Sequence, residues 1–393
     1  MKDNKFIFIS IVFSVATTTM SQGLIIPLLA SLESKHTNIL LNSLSTSIIY
    51  LGLFISMFFM EQVVKHLGLK NTVCVGLGIG MTSILLFLMY QGFYIWLLFR
   101  FLFGLALGAV HYGTQTWIGL ITSSEKRGKQ MAIYGFLAGV GFAIGPLWIN
   151  TFKIAEWIPF AIAASGFLIS LLAMIPLQNY RPLNPSVGRK RSFKISKMVY
   201  FIASPALFMV FVFGFMESSL NGGLPIFAHH EQINISILSL ALSAFVVGSL
   251  VLQIPLGHIS DIWGRRIVLL FCAIVGCGLY GVLPYTTSSS FLFILMFFLT
   301  GGTVGSLFSL SLAYLNDLLR PLWLPLGNRL AVMTFGLSMA LGPFISALAM
   351  RLFTYKGLFW SISLLFLAYF IFNIANKSTV RCITREMFSD TNM

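Results

Sequence analysis

The sequence has little charge. Only 9% of its 393 residues are Asp, Glu, Lys or Arg, and just 11 residues are acidic. Soluble domains carry about 25% charged residues, because they must cover their surface with groups that water solvates. Hydrophobic residues instead make up 57% of the chain, and 38 residues are Phe. The shortage of charge therefore excludes a set of soluble domains and predicts a protein that crosses the lipid bilayer repeatedly.

Cysteine and catalytic motifs are equally sparse. The four cysteines form no Cys-x-x-Cys pair, which argues against a disulfide framework and a zinc site. The apolar stretches contain no His-Glu-x-x-His, nucleophile elbow or paired acids, so an embedded enzyme is not expected. A channel is disfavoured because no filter-like repeat is present. The adjacent His229, His230 and Glu231 leave metal binding as an alternative, but we expect a solvated loop, no metal and no cofactor.

Twelve apolar stretches are each long enough to cross the hydrocarbon core as a helix, which takes about 18 or more residues. Helices are expected because every backbone polar group must be paired inside lipid. The predicted spans are 6–31, 39–63, 72–90, 94–121, 130–150, 157–177, 201–228, 236–260, 266–284, 290–315, 328–350 and 357–376. The predicted fold class is therefore an all-α membrane protein with twelve transmembrane helices.

The basic residues indicate the orientation. If the N-terminus is cytoplasmic, only Lys35, Lys153, Arg351 and Lys356 fall on the other side, and Arg100 lies inside a span. The remaining Lys and Arg residues fall in cytoplasmic segments, as the positive-inside rule requires. We therefore expect both termini in the cytoplasm and attribute the net charge of +14 to contact with anionic lipid and not with nucleic acid.

Landmark residues recur in the two halves of the chain at an offset of 196 or 197 residues. The pairs are Gly68 and Gly264, Gly104 and Gly301, Gly108 and Gly305, Gly145 and Gly342, and Pro146 and Pro343. Parallel six-helix repeats are a transporter architecture, with the site at their interface near the membrane midplane. Glycines four residues apart allow close helix packing, and the Gly-Pro steps allow a bend.

The repeat divides the chain into two predicted bundles of six helices. The N-terminal bundle covers 1–177 and the C-terminal bundle covers 201–376. Between them, 178–200 is a basic, proline-containing cytoplasmic linker, and 377–393 is a cytoplasmic tail.

Residues 257–266, Gly-His-Ile-Ser-Asp-Ile-Trp-Gly-Arg-Arg, resemble the G-x-x-x-D-x-x-G-R-[KR] loop of the major facilitator superfamily, and they stand between spans eight and nine as in that family. The first-half counterpart keeps Gly68 and Lys70 but has Glu61, Lys65 and Leu69 where the motif has Gly, Asp and Arg. Because Glu61 and Lys65 lie four residues apart, they could pair along one helix face and partly replace the lost Asp.

Two further motifs extend the resemblance over essentially the whole chain. Arg100-x-x-x-Gly104-x-x-x-Gly108 resembles the span-four motif of the family, and Gly141-x-x-x-Gly145-Pro146 resembles its span-five antiporter motif. In the latter, Ile149 and Asn150 replace two glycines.

The resemblance implies a monomeric secondary transporter of the bacterial twelve-helix type, in the cytoplasmic membrane. It also implies that Arg100 takes part in proton coupling, and that a charged loop latches the two halves together on the cytoplasmic side. The gating residues are Gly68, Lys70, Gly257, Asp261, Gly264, Arg265 and Arg266.

Glu217 is the one acidic residue that lies well inside a predicted span. A charge at the bilayer centre costs at least about 2.5–3.5 kcal/mol, so its presence needs an explanation. We predict that Glu217 lies opposite Arg100 and that both couple protons, with His111 as a further candidate; the alternative is a structural group held by polar neighbours. Polar residues predicted to contact the substrate are Gln22, Gln115, Trp117, Asn221 and Gln253.

Two functions remain open. The first is a proton-coupled antiporter that exports small amphipathic compounds by alternating access, which the span-five motif and the scarcity of charge favour. The second is a proton symporter that imports a nutrient, a metabolite or a siderophore on the same fold.

Overall fold

A computed structural model describes residues 2–34, 38–89, 92–122, 124–181, 193–320 and 323–375. These ranges are helical and contain no strand. The helices are α1 (Lys2–Glu33), α2 (Ile39–Leu67), α3 (Leu69–Met89), α4 (Phe93–Ile121), α5 (Ser124–Ile144), α6 (Ile158–Met174), α7 (Phe193–His230), α8 (Ile235–Trp263), α9 (Arg265–Val282), α10 (Ser290–Leu318), α11 (Leu324–Phe353) and α12 (Gly357–Ala375). Each corresponds to one predicted span. Within the described ranges, 11 are long and apolar enough to cross a membrane, and α6 is shorter at 17 residues.

Successive helices run in opposite directions, so the bundle has two ends. Gly68 joins α2 to α3 and Gly264 joins α8 to α9, with φ of 84° and 92°. Glycine adopts such positive φ without a steric penalty, which allows a one-residue connection. We call the end that holds these turns and the start of α1 the basic end. The other, which holds Glu33, Lys153 and His230, is the opposite end.

Two spans are interrupted. Helix α5 gives way at Gly145 to a 3₁₀ helix, Gly145–Lys153, with Pro146 in its first turn. Helix α10 is broken between Val304 and Leu307. Pro343, the repeat partner of Pro146, stays inside the continuous helix α11. The two predicted bends therefore differ, and only the first Gly-Pro step changes the type of helix.

The buried apolar residues form two clusters. One runs from Ile11 to Leu177 and includes Met339 of α11, and the other runs from Val199 to Tyr369. The prediction placed 193–200 in the linker, but α7 already begins at Phe193. Residues 182–192 of the predicted linker, together with the tail 377–393, lie outside the described residues.

The matched glycines make matched helix contacts. A Cβ on Gly104 would lie 2.0 Å from the carbonyl oxygen of Ile49, and one on Gly301 would lie 1.8 Å from that of Phe245. Helix α4 thus packs on α2 in the first half as α10 packs on α8 in the second. Such contact of backbone on backbone is possible only where the side chain is absent.

Glycines also allow the fifth helix of each half to pack closely on the first helix. Cβ atoms on Gly141 and Gly145 would lie 2.1 Å and 2.4 Å from carbonyl oxygens of α1, and one on Gly342 would lie 2.8 Å from the Phe215 carbonyl of α7. Gly108 and Gly305 contact serines of the helix beside them. These close contacts agree with the predicted packing role of the glycines.

Candidate functional site

Arg100 of α4 forms a buried ion pair with Glu33 at the end of α1. The Arg100 Nη2 and Glu33 Oε2 atoms are 3.0 Å apart, and the two side chains are 0% and 5% exposed. Ser45 of α2 donates a hydrogen bond of 2.9 Å to Glu33 Oε1, and Arg100 Nη1 donates one of 3.4 Å to Thr46. Three helices of the first half therefore meet at this pair.

This pairing corrects one prediction. Glu33 looked like a span-end acid in the sequence, and Arg100 was expected to lie opposite Glu217. Because α1 extends to Glu33 and α2 packs beside it, the acid is buried at the level of Arg100, seven residues into α4. The partner of Arg100 is Glu33.

Glu217 lies deeper in the bundle, on α7. It stands 13 residues before His230, which is about 20 Å along the helix axis. The side chain is half-buried. No ion pair or side-chain hydrogen bond joins its carboxylate to the described part of the chain, although its backbone carbonyl accepts a bond of 3.0 Å from the Asn221 amide. Glu217 is thus a partly accessible carboxylate without a fixed cation.

Tyr50 of α2 connects the two acidic positions. Its side chain is 1% exposed and lies within electrostatic range of both Arg100 and Glu217. The hydroxyl is beside the Asn221 side chain, whose amide donates to the Glu217 backbone carbonyl. Tyr50 and Asn221 therefore place α2 against the helix that carries Glu217.

Three phenylalanines cluster one helical turn from Glu217. Phe213 of α7, Phe308 of α10 and Phe335 of α11 have ring centroids 4.8–6.2 Å apart. Each is only partly buried, and Phe335 packs against the cores of both halves. Since residues four apart share a helix face, Phe213 and Glu217 lie on the same side of α7. A carboxylate beside accessible aromatic rings suits an amphipathic cation.

His111 and Gln22 meet across α4 and α1. The His111 Nε2 and Gln22 Oε1 atoms are 3.4 Å apart. Gln22 is 8% exposed, and His111 is half-buried. Two of the predicted site residues are therefore in contact, on the first-half side of the bundle.

The other predicted substrate contacts differ in accessibility. Gln115 and Gln253 are exposed, and Asn221 is 5% exposed and hydrogen-bonded to Glu217. Trp117 is 1% exposed and lies within the apolar core of the first half. A substrate cannot reach the indole in this position, so the structure gives no support to Trp117 as a contact.

The halves are hydrogen-bonded to each other toward the opposite end. The bonds run from Lys153 to Asn234 and Ser236, from Ser236 to Asn150, and from Ser243 to the Ala143 carbonyl, at 2.7–3.4 Å. These hydrogen bonds between the halves form a seam of α5, its 3₁₀ extension and α8.

At the basic end, the motif residues bind within their own half. Arg265 pairs with Asp261 at 3.5 Å and with Asp317 of α10 at 3.2 Å. Arg266 donates to the side chain and the carbonyl of Asn373 in α12. Each partner described for these arginines belongs to the second half, so the expected latch between the halves stays a prediction. Gly257 faces open space.

The degraded first-half loop is held in a related way. Lys70 Nζ donates a bond of 2.7 Å to the Ile175 carbonyl after α6, as Arg266 donates to α12. The Asn179 side chain accepts from the Lys70 backbone and donates to the Leu67 carbonyl. Cations stabilise the C-terminal carbonyls of a helix. The predicted pair of Glu61 with Lys65 is present at 3.2 Å.

Sequence reasoning missed Glu33, Tyr50 and the three phenylalanines. Glu33 could have been found from its position, since it precedes the α1–α2 turn and is the one acid within reach of the outer third of α4. In a chain with 38 Phe, nothing in the sequence distinguishes the three that cluster.

Comparisons with known proteins agree with this architecture. The family model described as Major Facilitator Superfamily matches residues 11–240 and 206–379. The uncharacterized MFS-type transporter YfkF of Bacillus subtilis (strain 168) is 33% identical over 367 residues, which cover 92% of this chain and 93% of that protein.

Solved structures of other transporters share the fold. The nucleoside transporter NupG superposes with a TM-score of 0.77 at 11% identity, over 94% of this chain and 99% of that one. The peptide transporter POT in complex with sulfate gives 0.72 at 13% identity, over 95% and 94%. The predicted all-α transporter fold is confirmed, and the chain belongs to the major facilitator superfamily.

Proposed function

We propose that this protein is a proton-coupled antiporter that exports small amphipathic cations by alternating access. The observation that carries the proposal is the half-buried Glu217 carboxylate, which has no fixed cation and lies on the same helix face as the aromatic cluster. A cationic substrate and a proton can both neutralise this group, and only one of them at a time.

The arrangement of bonds between the halves supports alternating access. Hydrogen bonds join the halves at the opposite end, whereas the described motif bonds at the basic end stay within each half. We infer a conformation closed at the opposite end. Each half can move as a unit, because the contacts of the matched glycines and the charged clamps are internal to it.

The orientation follows from the charges. With the basic end in the cytoplasm, the positive-inside rule is satisfied, and both termini are cytoplasmic in the bacterial inner membrane. The inferred conformation is then closed to the outside, which is the state in which an exporter loads its substrate from the cytoplasm.

The two acids have different parts in the proposed cycle. Glu33 is neutralised in place by Arg100 and holds α1, α2 and α4 together at the opposite end. Glu217 exchanges a proton for substrate. The proton affinity of a carboxylate depends on its hydration, and the hydration of Glu217 changes between the two conformations. Tyr50 lies between these positions, within electrostatic range of both Arg100 and Glu217.

The test is proton release driven by substrate. Purified full-length protein is reconstituted into liposomes that enclose a pH-sensitive dye, and ethidium serves as the amphipathic cation. With the wild-type protein, an imposed pH gradient should drive ethidium uphill, and an ethidium gradient should move protons in return. With Glu217→Gln, both coupled fluxes should fall to the level of empty liposomes.

The matched control is Glu156→Gln, which removes an exposed acid that lies outside the motifs and outside the proposed site. Its coupled flux should equal that of the wild type. Unchanged coupling in Glu217→Gln contradicts the role of this carboxylate. Ethidium that moves in the same direction as the protons supports the symport alternative and contradicts antiport.

A further inference from the structure

A cavity of about 700 Å³ lies at the opposite end, away from Glu217. It is bounded by the α1–α2 turn, the end of α7 and the end of α11. The first half contributes Ser34 and Asn38 to the lining, and the second contributes His229, Arg351 and Tyr355. Cavities of this size hold small-molecule ligands in other proteins, which typically need about 300–1,000 Å³.

The charged lining of this cavity is basic. Its described lining residues include Arg351, His229 and His230 and no acid. Arg351 is exposed and makes no ion pair or side-chain hydrogen bond with the described part of the chain. A guanidinium without a protein partner, at the wall of a cavity, is available to a ligand.

One side of the cavity is ordered by an aromatic stack. The ring of His230 lies parallel to that of Tyr355, with centroids 3.6 Å apart. The His230 Nδ1 atom is 3.3 Å from Glu231 Oε1, the nearest acid, which stands outside the lining. The stack and this contact fix the position of His230, while His229 and Arg351 keep their donors free.

We propose that this cavity is a binding site for a small ligand that carries an oxyanion, either a carboxylate or a phosphate group. Arg351 supplies a planar fork of N–H donors that matches the two oxygens of such a group. The histidine ring N–H groups and the Asn38 amide N–H groups provide further donors around it. The site is separate from the proposed proton-coupled site and does not depend on it.

The site also couples to conformation, because both halves line it. The cavity exists only while the ends of α1, α2, α7 and α11 are together. A ligand that binds one conformation stabilises it in proportion to its differential affinity. Occupation of the cavity therefore favours the state that is closed at the opposite end and slows the return to the other state.

Binding is tested by thermal unfolding of the purified full-length protein in an uncharged detergent, at constant ionic strength, with inorganic phosphate or citrate as the probe. The melting temperature of the wild type should rise with the concentration of the probe and reach a plateau. Arg351→Gln should weaken binding at least tenfold, which corresponds to about 1.4 kcal/mol. The matched control is Lys356→Gln, which removes a cation at the same end whose Nζ lies 4.3 Å over the Tyr285 ring, outside the cavity.

A second arm separates the two sources of the anion. The same variants are compared in nanodiscs of phosphatidylcholine alone and with phosphatidylglycerol. Stabilisation by phosphatidylglycerol that requires Arg351 identifies a lipid headgroup, and stabilisation by phosphate or citrate that requires Arg351 identifies a free ligand. If Arg351→Gln does not fold, His229→Gln should show the same weakening.

The proposal is overturned if no probe stabilises the wild type, if Arg351→Gln responds as the wild type does, or if Lys356→Gln weakens binding as much as Arg351→Gln. Its conformational part is tested with spin labels on Glu156→Cys and Ser288→Cys, exposed positions at the same end in the two halves, in a background without the native cysteines. The bound ligand should narrow the distance distribution toward short separations, and an unchanged distribution during binding contradicts the coupling.

Discussion

Removal of one partner of the Glu33–Arg100 pair should destabilise the protein far more than removal of both. At 3.0 Å, with an effective dielectric constant of about 20, the attraction between the two charges is about 5–6 kcal/mol. Desolvation of two ions that are 5% or less exposed offsets most of this attraction. The net worth of the pair is therefore small, whereas one buried charge left alone costs about 3–5 kcal/mol.

The assay is a double-mutant cycle on unfolding in detergent. Glu33→Gln and Arg100→Gln should each lose about 3–5 kcal/mol, and the double variant should recover most of that loss. The matched control is the exposed pair of Glu61 and Lys65, at 3.2 Å and 44% and 37% exposed. The same cycle there should give a coupling of about 0.5 kcal/mol or less.

Two outcomes refute the reasoning. Single variants that lose less than about 1 kcal/mol would mean that water reaches the pair and solvates the remaining charge. A double variant as unstable as the sum of the single ones would mean that each side chain acts alone, without the direct interaction that the 3.0 Å contact indicates.

Two further predictions concern packing and substrate affinity. Gly301→Ala should destabilise the protein by about 1–3 kcal/mol, because the added methyl would meet the Phe245 carbonyl at 1.8 Å. The control Gly278→Ala, where the added methyl has no atom within 4 Å, should be neutral or stabilising. The melting temperatures of the two variants are compared, and equal changes contradict the close contact. Phe335→Leu should raise the apparent KM for ethidium about fivefold, since it removes aromatic contacts worth about 1 kcal/mol. The control Phe291→Leu, at a position that is 76% exposed, should leave the KM unchanged. The same KM in both variants contradicts aromatic recognition.

The spans could be predicted because the bilayer imposes one simple requirement. A helix must be long and apolar, and each predicted stretch became a helix whose core agrees with the prediction within several residues. A bend was expected at Gly145-Pro146, but its 3₁₀ form and the break near Gly305 could not be predicted, because they depend on what packs beside the chain. Pro146 and Pro343 occupy equivalent positions in the repeat, yet only one of them begins a 3₁₀ helix.

The site was harder to predict, because it is assembled from different helices. Depth along a helix can be read from the sequence, which is why Glu217 and Arg100 were identified as buried charges. The rotation of a helix about its axis cannot be read from the sequence in the same way, so the prediction paired Arg100 with the wrong acid. Trp117 shares α4 with His111, but it points into the apolar core.

The distribution of bonds makes the proposed conformational change inexpensive. Four hydrogen bonds of the described seam join the halves at the opposite end, and each contributes about 0.5–1.5 kcal/mol net, because water replaces it on opening. Together they hold this end with about 2–6 kcal/mol. A shift from 1:99 to 99:1 between two states takes about 5.5 kcal/mol, which lies within that range. The buried pair of Arg100 and the clamps of Arg265 and Arg266 lie inside single halves and need not break. A substrate or proton that binds the two states with a differential energy of a few kcal/mol therefore matches the hydrogen-bond part of this change.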